Sequence, residues 1–202
     1  MKNKFFRGIT VLFVTGILFT SCSKVPQAEI DSANASIQMA KDAEAEIFVN
    51  DQFLALQDSM NNILVLIEAQ KSKTFANYSE VKKKLTEVDT LAAQVKANSQ
   101  LRKEEMRKEI ETSISELKNL IETNKNLILE APRGKEGTTA LMAIKSELTT
   151  IESNMNEAIS MFEQGQYPST QEMVNAAREK ASSINAELST VIAKYKANVR
   201  SR

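Results

Sequence analysis

The feature that most constrains this chain is a run of 105 residues, from Gln27 to Ala131, that contains neither glycine nor proline. Globular domains build most of their turns with these two residue types, so a run of this length predicts long helices. Strand-like alternation of apolar and polar residues is absent from the run. The sequence therefore predicts an all-α protein.

Apolar residues recur at alternating steps of three and four, which is typical of helices that bury one narrow face. We call each such row of apolar residues a seam. Glycine, proline and capping residues divide the seams among four segments, and the short connections between the segments favour antiparallel neighbours. We predict an elongated antiparallel bundle of about four long helices with coiled-coil-like packing. The predicted helices span residues 26 to 73, 78 to 131, 138 to 164 and 169 to 199.

The first two predicted helices are much longer than the last two and cannot pair with them along their full lengths. The seam of the first helix changes phase between Ile47 and Val49. The seam of the second has a polar interval that includes Asn98 and Ser99. Two arrangements stay open: a protruding two-helix arm, or long helices broken near residues 50 and 100.

Two stretches of the chain are similar to each other. Residues 55–78 and 140–167 both run from an Ala-Leu pair through an apolar seam to a phenylalanine and a tyrosine at a turn. This similarity predicts two related helical hairpins with the aromatic pairs Phe75/Tyr78 and Phe162/Tyr167 packed at their turns. Heptad-like composition alone would give a similar pattern.

The N-terminus has the composition of a targeting segment. Lys2, Lys4 and Arg7 precede an uncharged apolar run over residues 8 to 19. A membrane-spanning helix needs roughly 20 residues, so a run of this length fits the core of a secretory signal peptide. The first residues are therefore expected to lie outside the folded domain.

Thr20 and Ser21 stand directly before Cys22, the only cysteine. This arrangement resembles the lipobox of bacterial lipoproteins, in which the cysteine is acylated and the chain is cut just before it; Phe19 departs from the usual leucine. The alternative is an ordinary cleaved signal followed by a free thiol, which is a liability in an oxidising compartment. We expect a lipoprotein signal peptide (1–21), a lipidated N-terminus (22–25) and a helical bundle domain (26–202).

The stretch PQAEIDSANASIQMAKDAEAE, residues 26–46, resembles the start of an alanine-rich helical lipoprotein domain of unknown function. In some bacterial chains such a domain precedes an OmpA-like domain, and we expect no segment of that kind here. The resemblance implies a helical fold and a location in the bacterial cell envelope, for which we expect the outer membrane. It implies no catalytic residues.

Several classes of chemistry are excluded by composition. The chain has no histidine, which rules out His-based triads and the Glu-x-x-His pairs of di-iron bundles. Zinc sites built from Cys and His are excluded as well. Residues 22–202 carry 23 basic against 26 acidic side chains, a balance that argues against nucleic acid as a partner. We expect no enzymatic activity, no metal and no cofactor.

Two groups of polar residues leave alternatives open. The segment RKEEMRKEIE, residues 102–111, offers carboxylates for a cation, or forms a solvated helix face with a Glu104–Lys108 pair. Polar residues also interrupt the apolar seams, where they either line a ligand site or fix helix register and reach the bundle edge. These residues are Asp51, Asp58, Asn61 and Asn124.

The sequence predicts a membrane-anchored, non-enzymatic envelope protein that acts as a helical spacer or interaction module. If the second helix extends beyond its neighbours, part of its apolar seam would be exposed to solvent. We then expect a second copy of the chain or a helical envelope partner to bind at Ile110, Leu117 and Ile121. Alternatively, the chain bends near residues 98 and 99 and covers its own seam. The rival function is a periplasmic carrier that holds an apolar ligand in a groove between helices.

Overall fold

The computed structural model describes residues 24–133 and 135–200, and every regular element within these ranges is an α-helix. The all-α prediction is confirmed. The described chain contains six helices rather than about four. They are α1 (Gln27–Asp42), α2 (Ala45–Phe48), α3 (Asn50–Lys71), α4 (Ser79–Glu130), α5 (Lys135–Glu163) and α6 (Tyr167–Arg200).

The longest helix, α4, has 52 residues and therefore spans about 78 Å at 1.5 Å per residue. It passes through Asn98 and Ser99 without interruption, so a break near residue 100 is wrong. The buried Ser99 hydroxyl donates a 2.6 Å hydrogen bond to the carbonyl of Ala43, at the end of α1. The polar interval in the seam therefore marks a contact with a helix end and does not interrupt α4.

The first predicted helix is divided where its seam changes phase. α1 ends at Asp42, and Glu44 then adopts the left-handed conformation, with a φ of 62°. Val49 separates α2 from α3 with a φ of −142°. The break expected near residue 50 thus consists of two closely spaced interruptions on either side of the single turn of α2.

Two hydrophobic cores follow one another along α4. The proximal unit comprises α1, α2, α3 and the first half of α4, and the distal unit comprises the second half of α4 with α5 and α6. In both units the core consists of seam residues at steps of three and four. Large, fully buried members include Phe53, Leu56, Ile67 and Leu85 in the proximal unit and Ile110, Leu117, Ile151 and Leu188 in the distal unit.

Hydrogen bonds between helices fix their directions. α1 runs parallel to the first half of α4, because Glu29 pairs with Lys82 and Ser36 bonds to Asp89. α6 runs parallel to the second half of α4 through successive contacts at Glu109–Gln171, Glu116–Arg178 and Glu130–Lys196. α3 runs antiparallel to the first half of α4, and α5 runs antiparallel to both the second half of α4 and α6, so each unit has an up-down-up course. A single antiparallel bundle of four long helices is not confirmed.

The two units repeat one design. In the proximal unit Ser32 bonds to Asp89, and in the distal unit Glu116 pairs with Arg178. Glu116 is the equivalent of Ser32, 84 residues later, and Arg178 is the equivalent of Asp89, 89 residues later. Buried α4 residues likewise recur in α6 with a shift of 89: Leu85, Val88, Ala92 and Val95 correspond to Val174, Ala177, Ala181 and Ile184. α4 thus serves as the third helix of the proximal unit and as the first helix of the distal unit.

The aromatic pairs at the two hairpin turns differ. The rings of Phe162 and Tyr167 pack at a centroid distance of 5.4 Å, as predicted for the turn between α5 and α6. At the turn between α3 and α4, Tyr78 is buried but Phe75 is 92% exposed. Packing of Phe75 against its turn was therefore a wrong prediction.

Candidate functional site

The predicted lipid attachment residue, Cys22, lies outside the described residues, as does the predicted signal peptide. Val25, three residues after Cys22, packs against the proximal core. This places the start of the described chain beside the first turns of α4. None of the helices in residues 24–133 and 135–200 has the length and apolar character that a membrane span requires.

The three residues predicted to contact a partner lie inside the distal core. Ile110, Leu117 and Ile121 are all buried, and α6 packs against this part of α4. No partner could reach them in this structure, so they are core residues and the predicted contact surface is corrected. The chain covers its own seam without the bend at residues 98 and 99, because α6 lies parallel to α4 and extends alongside it.

The charged segment 102–111 forms pairs along the surface of α4. Arg107 donates hydrogen bonds to both carboxylate oxygens of Glu104, at 2.9 and 2.7 Å, and also contacts Glu111. The predicted Glu104–Lys108 pair is present at 3.7 Å. Arg102 bonds to Glu109 at 3.0 Å. Within the described ranges no cluster of His, Cys, Asp or Glu has the arrangement of a metal site.

Four members of these pairs, Arg102, Glu104, Arg107 and Glu109, have pKa values shifted in the direction that favours their charged forms. Hydrogen bonding to Glu104 raises the pKa of Arg107 and, in return, holds the pKa of Glu104 below its ordinary value of 4.5. Arg102 lowers the pKa of Glu109 in the same way. All these groups therefore keep their charges at neutral pH, which favours a stable surface network over proton transfer.

The boundary between the two units, which we call the junction, is organised around Lys103 of α4. Its ammonium pairs with Glu44, the left-handed residue between α1 and α2. The same nitrogen lies 5.7 Å from the ring centroid of Phe48 and 5.9 Å from that of Tyr167. A cation near two aromatic rings is attracted to both, so Lys103 connects α1, α2 and α6 at one point.

Sequence reasoning did not find the junction. Its residues come from three distant segments, and no single motif unites them. Two signals point towards it in retrospect: the seam of the first predicted helix changes phase at residues 47 to 49, and the seam of α4 becomes polar at Ser99. Both mark the level at which one set of packing partners ends and the next begins.

Asn124 is a polar residue in the centre of the distal unit. Its side chain is fully buried, donates a 2.7 Å hydrogen bond to the Ala181 carbonyl and accepts one of 2.8 Å from Asn185. This network fixes the register of α4 against α6 and leaves no polar group directed at a ligand. Asp51, Asp58 and Asn61 are exposed on the surface of α3.

Two open surface grooves are the candidate sites for an apolar ligand. One lies between α3 and α4 with a volume of about 320 Å³, and Ile63, Leu66 and Leu91 contribute to its walls. The other lies between α4 and α5, measures about 330 Å³ and contains Ile128 and Leu148. Charged side chains also line both grooves, so neither has a wholly apolar wall.

Five of the exposed large apolar residues lie in the distal unit: Leu129, Met142, Val191, Tyr195 and Val199. The others in the described chain lie in the proximal unit or, in the case of Leu101, between the two units. Residues 129–145 and 189–200 together carry six basic against two acidic side chains, a net charge near +4. The distal end thus combines apolar side chains with positive charge, whereas residues 22–202 as a whole are slightly acidic.

Comparisons of the chain with protein-family models, curated proteins and solved structures find no match.

Proposed function

We propose that the protein is a non-enzymatic lipoprotein of the bacterial cell envelope, anchored at the outer membrane, whose helical body acts as a spacer. The observation that carries this proposal is the uninterrupted course of α4 through both units. Because α1 and α6 both run parallel to α4, the beginning of α1 and the end of α6 lie at opposite ends of the molecule. An anchor at Cys22 would hold the distal end about 80 Å from the bilayer if the body stands upright.

A spacer must resist bending, and the junction supplies that resistance. A single helix crosses from one unit to the other, with apolar cores packed against it on both sides of the crossing. Ser99 bonds α4 to the end of α1. Lys103 connects α4 to α2 and to the start of α6 through the rings of Phe48 and Tyr167. Rotation of one unit against the other would break several of these contacts together.

The distal end is the surface that we assign to a partner, which we take to be a second copy or a helical envelope protein. The seam of α6 continues past the buried Ile192 to Tyr195 and Val199, which are about half exposed. Lys194 and Arg200 flank this continuation. An acidic amphipathic helix would match both its apolar stripe and its charge.

The anchoring part of the proposal is tested by Cys22→Ala, with Ser23→Ala as the matched control. We expect that wild type and control incorporate a fatty-acid probe and float with membranes, while Cys22→Ala retains its precursor length and incorporates none. Equal labelling of all three proteins would show that the thiol is not the attachment point.

The groove between α4 and α5 favours a second candidate function, a carrier of an apolar ligand. Its volume of about 330 Å³ is at the lower limit for small-molecule sites. Native mass spectrometry of protein taken from its own cells separates the two functions. A carrier retains a bound mass that denaturation releases, whereas a spacer shows the mass of the processed chain alone.

A further inference from the structure

Phe75 is the most exposed large apolar residue in the described chain, at 92%. It lies in the connection between α3 and α4, residues 72–78, which we call the proximal loop. Local contacts hold this loop in place around it: Asn77 accepts a hydrogen bond from the Ser79 backbone, Gln70 accepts one from the Asn77 backbone, and Tyr78 is buried. The fold therefore orders the loop and still leaves Phe75 in solvent.

The proximal loop lies at the same end of the molecule as the start of α1. Glu29, in the first turn of α1, pairs with Lys82, in the first turn of α4, at 2.6 Å. Val25 packs against the core that contains Tyr78. The loop, the start of α1 and the start of α4 together form one end face.

This end face carries positive charge. Residues 24–31 and 68–84 contain six basic against four acidic side chains, a net charge near +2. Lys24 and Lys73 are both exposed, and Lys71, the last residue of α3, pairs with Glu68. An exposed aromatic ring among lysines has the composition of a membrane-interface contact, in which the ring enters the headgroup region and the ammonium groups meet phosphates.

The length of the tether brings this face to the bilayer. This step rests on the proposed function, in which Cys22 is acylated. The packed Val25 is three residues after Cys22, and a chain extends at most about 3.5 Å per residue. The lipid-bearing residue can therefore be no more than about 10 Å from the end face, which is less than the thickness of one helix with its side chains.

We propose that the proximal loop is a second membrane contact, in which Phe75 inserts into the interfacial region of the leaflet that holds the acyl chains. The lysines of the end face meet anionic headgroups around it. An acyl anchor alone leaves the protein free to reorient on the membrane. An anchor together with an inserted side chain fixes the orientation of the protein relative to the membrane. The helical body then stands on the membrane, with its distal end away from the surface.

The chain contains no tryptophan, so a single introduced tryptophan reports on its own surroundings. The experiment uses the full, processed lipoprotein in vesicles of phosphatidylethanolamine and phosphatidylglycerol that carry brominated acyl chains. Phe75→Trp places the reporter in the proximal loop, and Tyr195→Trp places the control reporter at the distal end. Both sites are exposed, so both variants should fold.

We expect the brominated lipid to quench the Phe75→Trp reporter strongly and shift its emission to the blue, and to leave the Tyr195→Trp reporter unaffected. Two results would overturn the inference while the protein remains on the vesicles: no quenching at either site, or quenching at position 195. Protein that does not float with the vesicles would instead refute the anchor itself, and the inference with it.

Discussion

Leu117→Ala distinguishes a core position from a partner contact. Leu117 has no exposed surface and lies in the middle of the distal core. Its truncation removes three carbon atoms from a packed interior and leaves a cavity, which costs about 3 kcal/mol of unfolding free energy, within the usual range of roughly 2 to 5. For a chain of this size, that loss lowers the melting temperature by about 6 to 12 °C.

The control for this experiment is Leu101→Ala, in the same helix and away from the distal end. Leu101 is 60% exposed, and an exposed substitution of this type changes stability by about 0.5 kcal/mol or less. Both variants are measured by urea denaturation at several protein concentrations. A Leu117→Ala protein as stable as wild type but weaker in self-association would show that the residue faces a partner and that α6 does not cover it.

Two further perturbations test the rod and its surface network. Leu101 is an exposed residue of α4 between the two cores, and Leu101→Pro removes a helical hydrogen bond and introduces a clash, at a cost of about 3 kcal/mol. We therefore expect the two units to unfold separately and solution scattering to show a bent particle. Leu101→Ala should match wild type in both measurements. Glu29, Glu104 and Glu109 have pKa values lowered by hydrogen-bonded cations, so their contribution to stability is present above about pH 4.5 and declines as the pH falls below that value. Equal urea midpoints at pH 7 and pH 3 would contradict this reading.

The sequence predicted the helices well because apolar periodicity and the positions of glycine and proline act locally. Each predicted boundary that depended on Pro132 or on the Gly165 turn lies within a few residues of a helix end in the structure. The same periodicity predicted burial of Ile110, Leu117 and Ile121. It could not predict what buries them, because a seam of leucines and isoleucines is complementary to any similar seam, on the same chain or on another.

The junction was beyond reach of the sequence, for physical reasons. Short connections predict that consecutive helices are antiparallel, but they do not indicate which side chains of distant segments meet at the level of Lys103. Glu44 adopts a left-handed conformation, and the sequence has no glycine at this position that would indicate it. In that conformation Glu44 pairs with Lys103 across the junction. The burial of Tyr78 and the exposure of Phe75 likewise depend on the direction that the turn takes.

α4 is both the last helix of one unit and the first helix of the next. A protein of this architecture can therefore be lengthened only by whole units. Equivalent contacts involve α4 at Asp89 and again at Glu116, 27 residues further on, which is about 40 Å along the helix. A tandem duplication of one such period would lengthen the protein by the same amount and recreate every existing interface. Smaller insertions would displace the junction contacts from one another, so relatives of this architecture should differ in reach by whole multiples of about 40 Å.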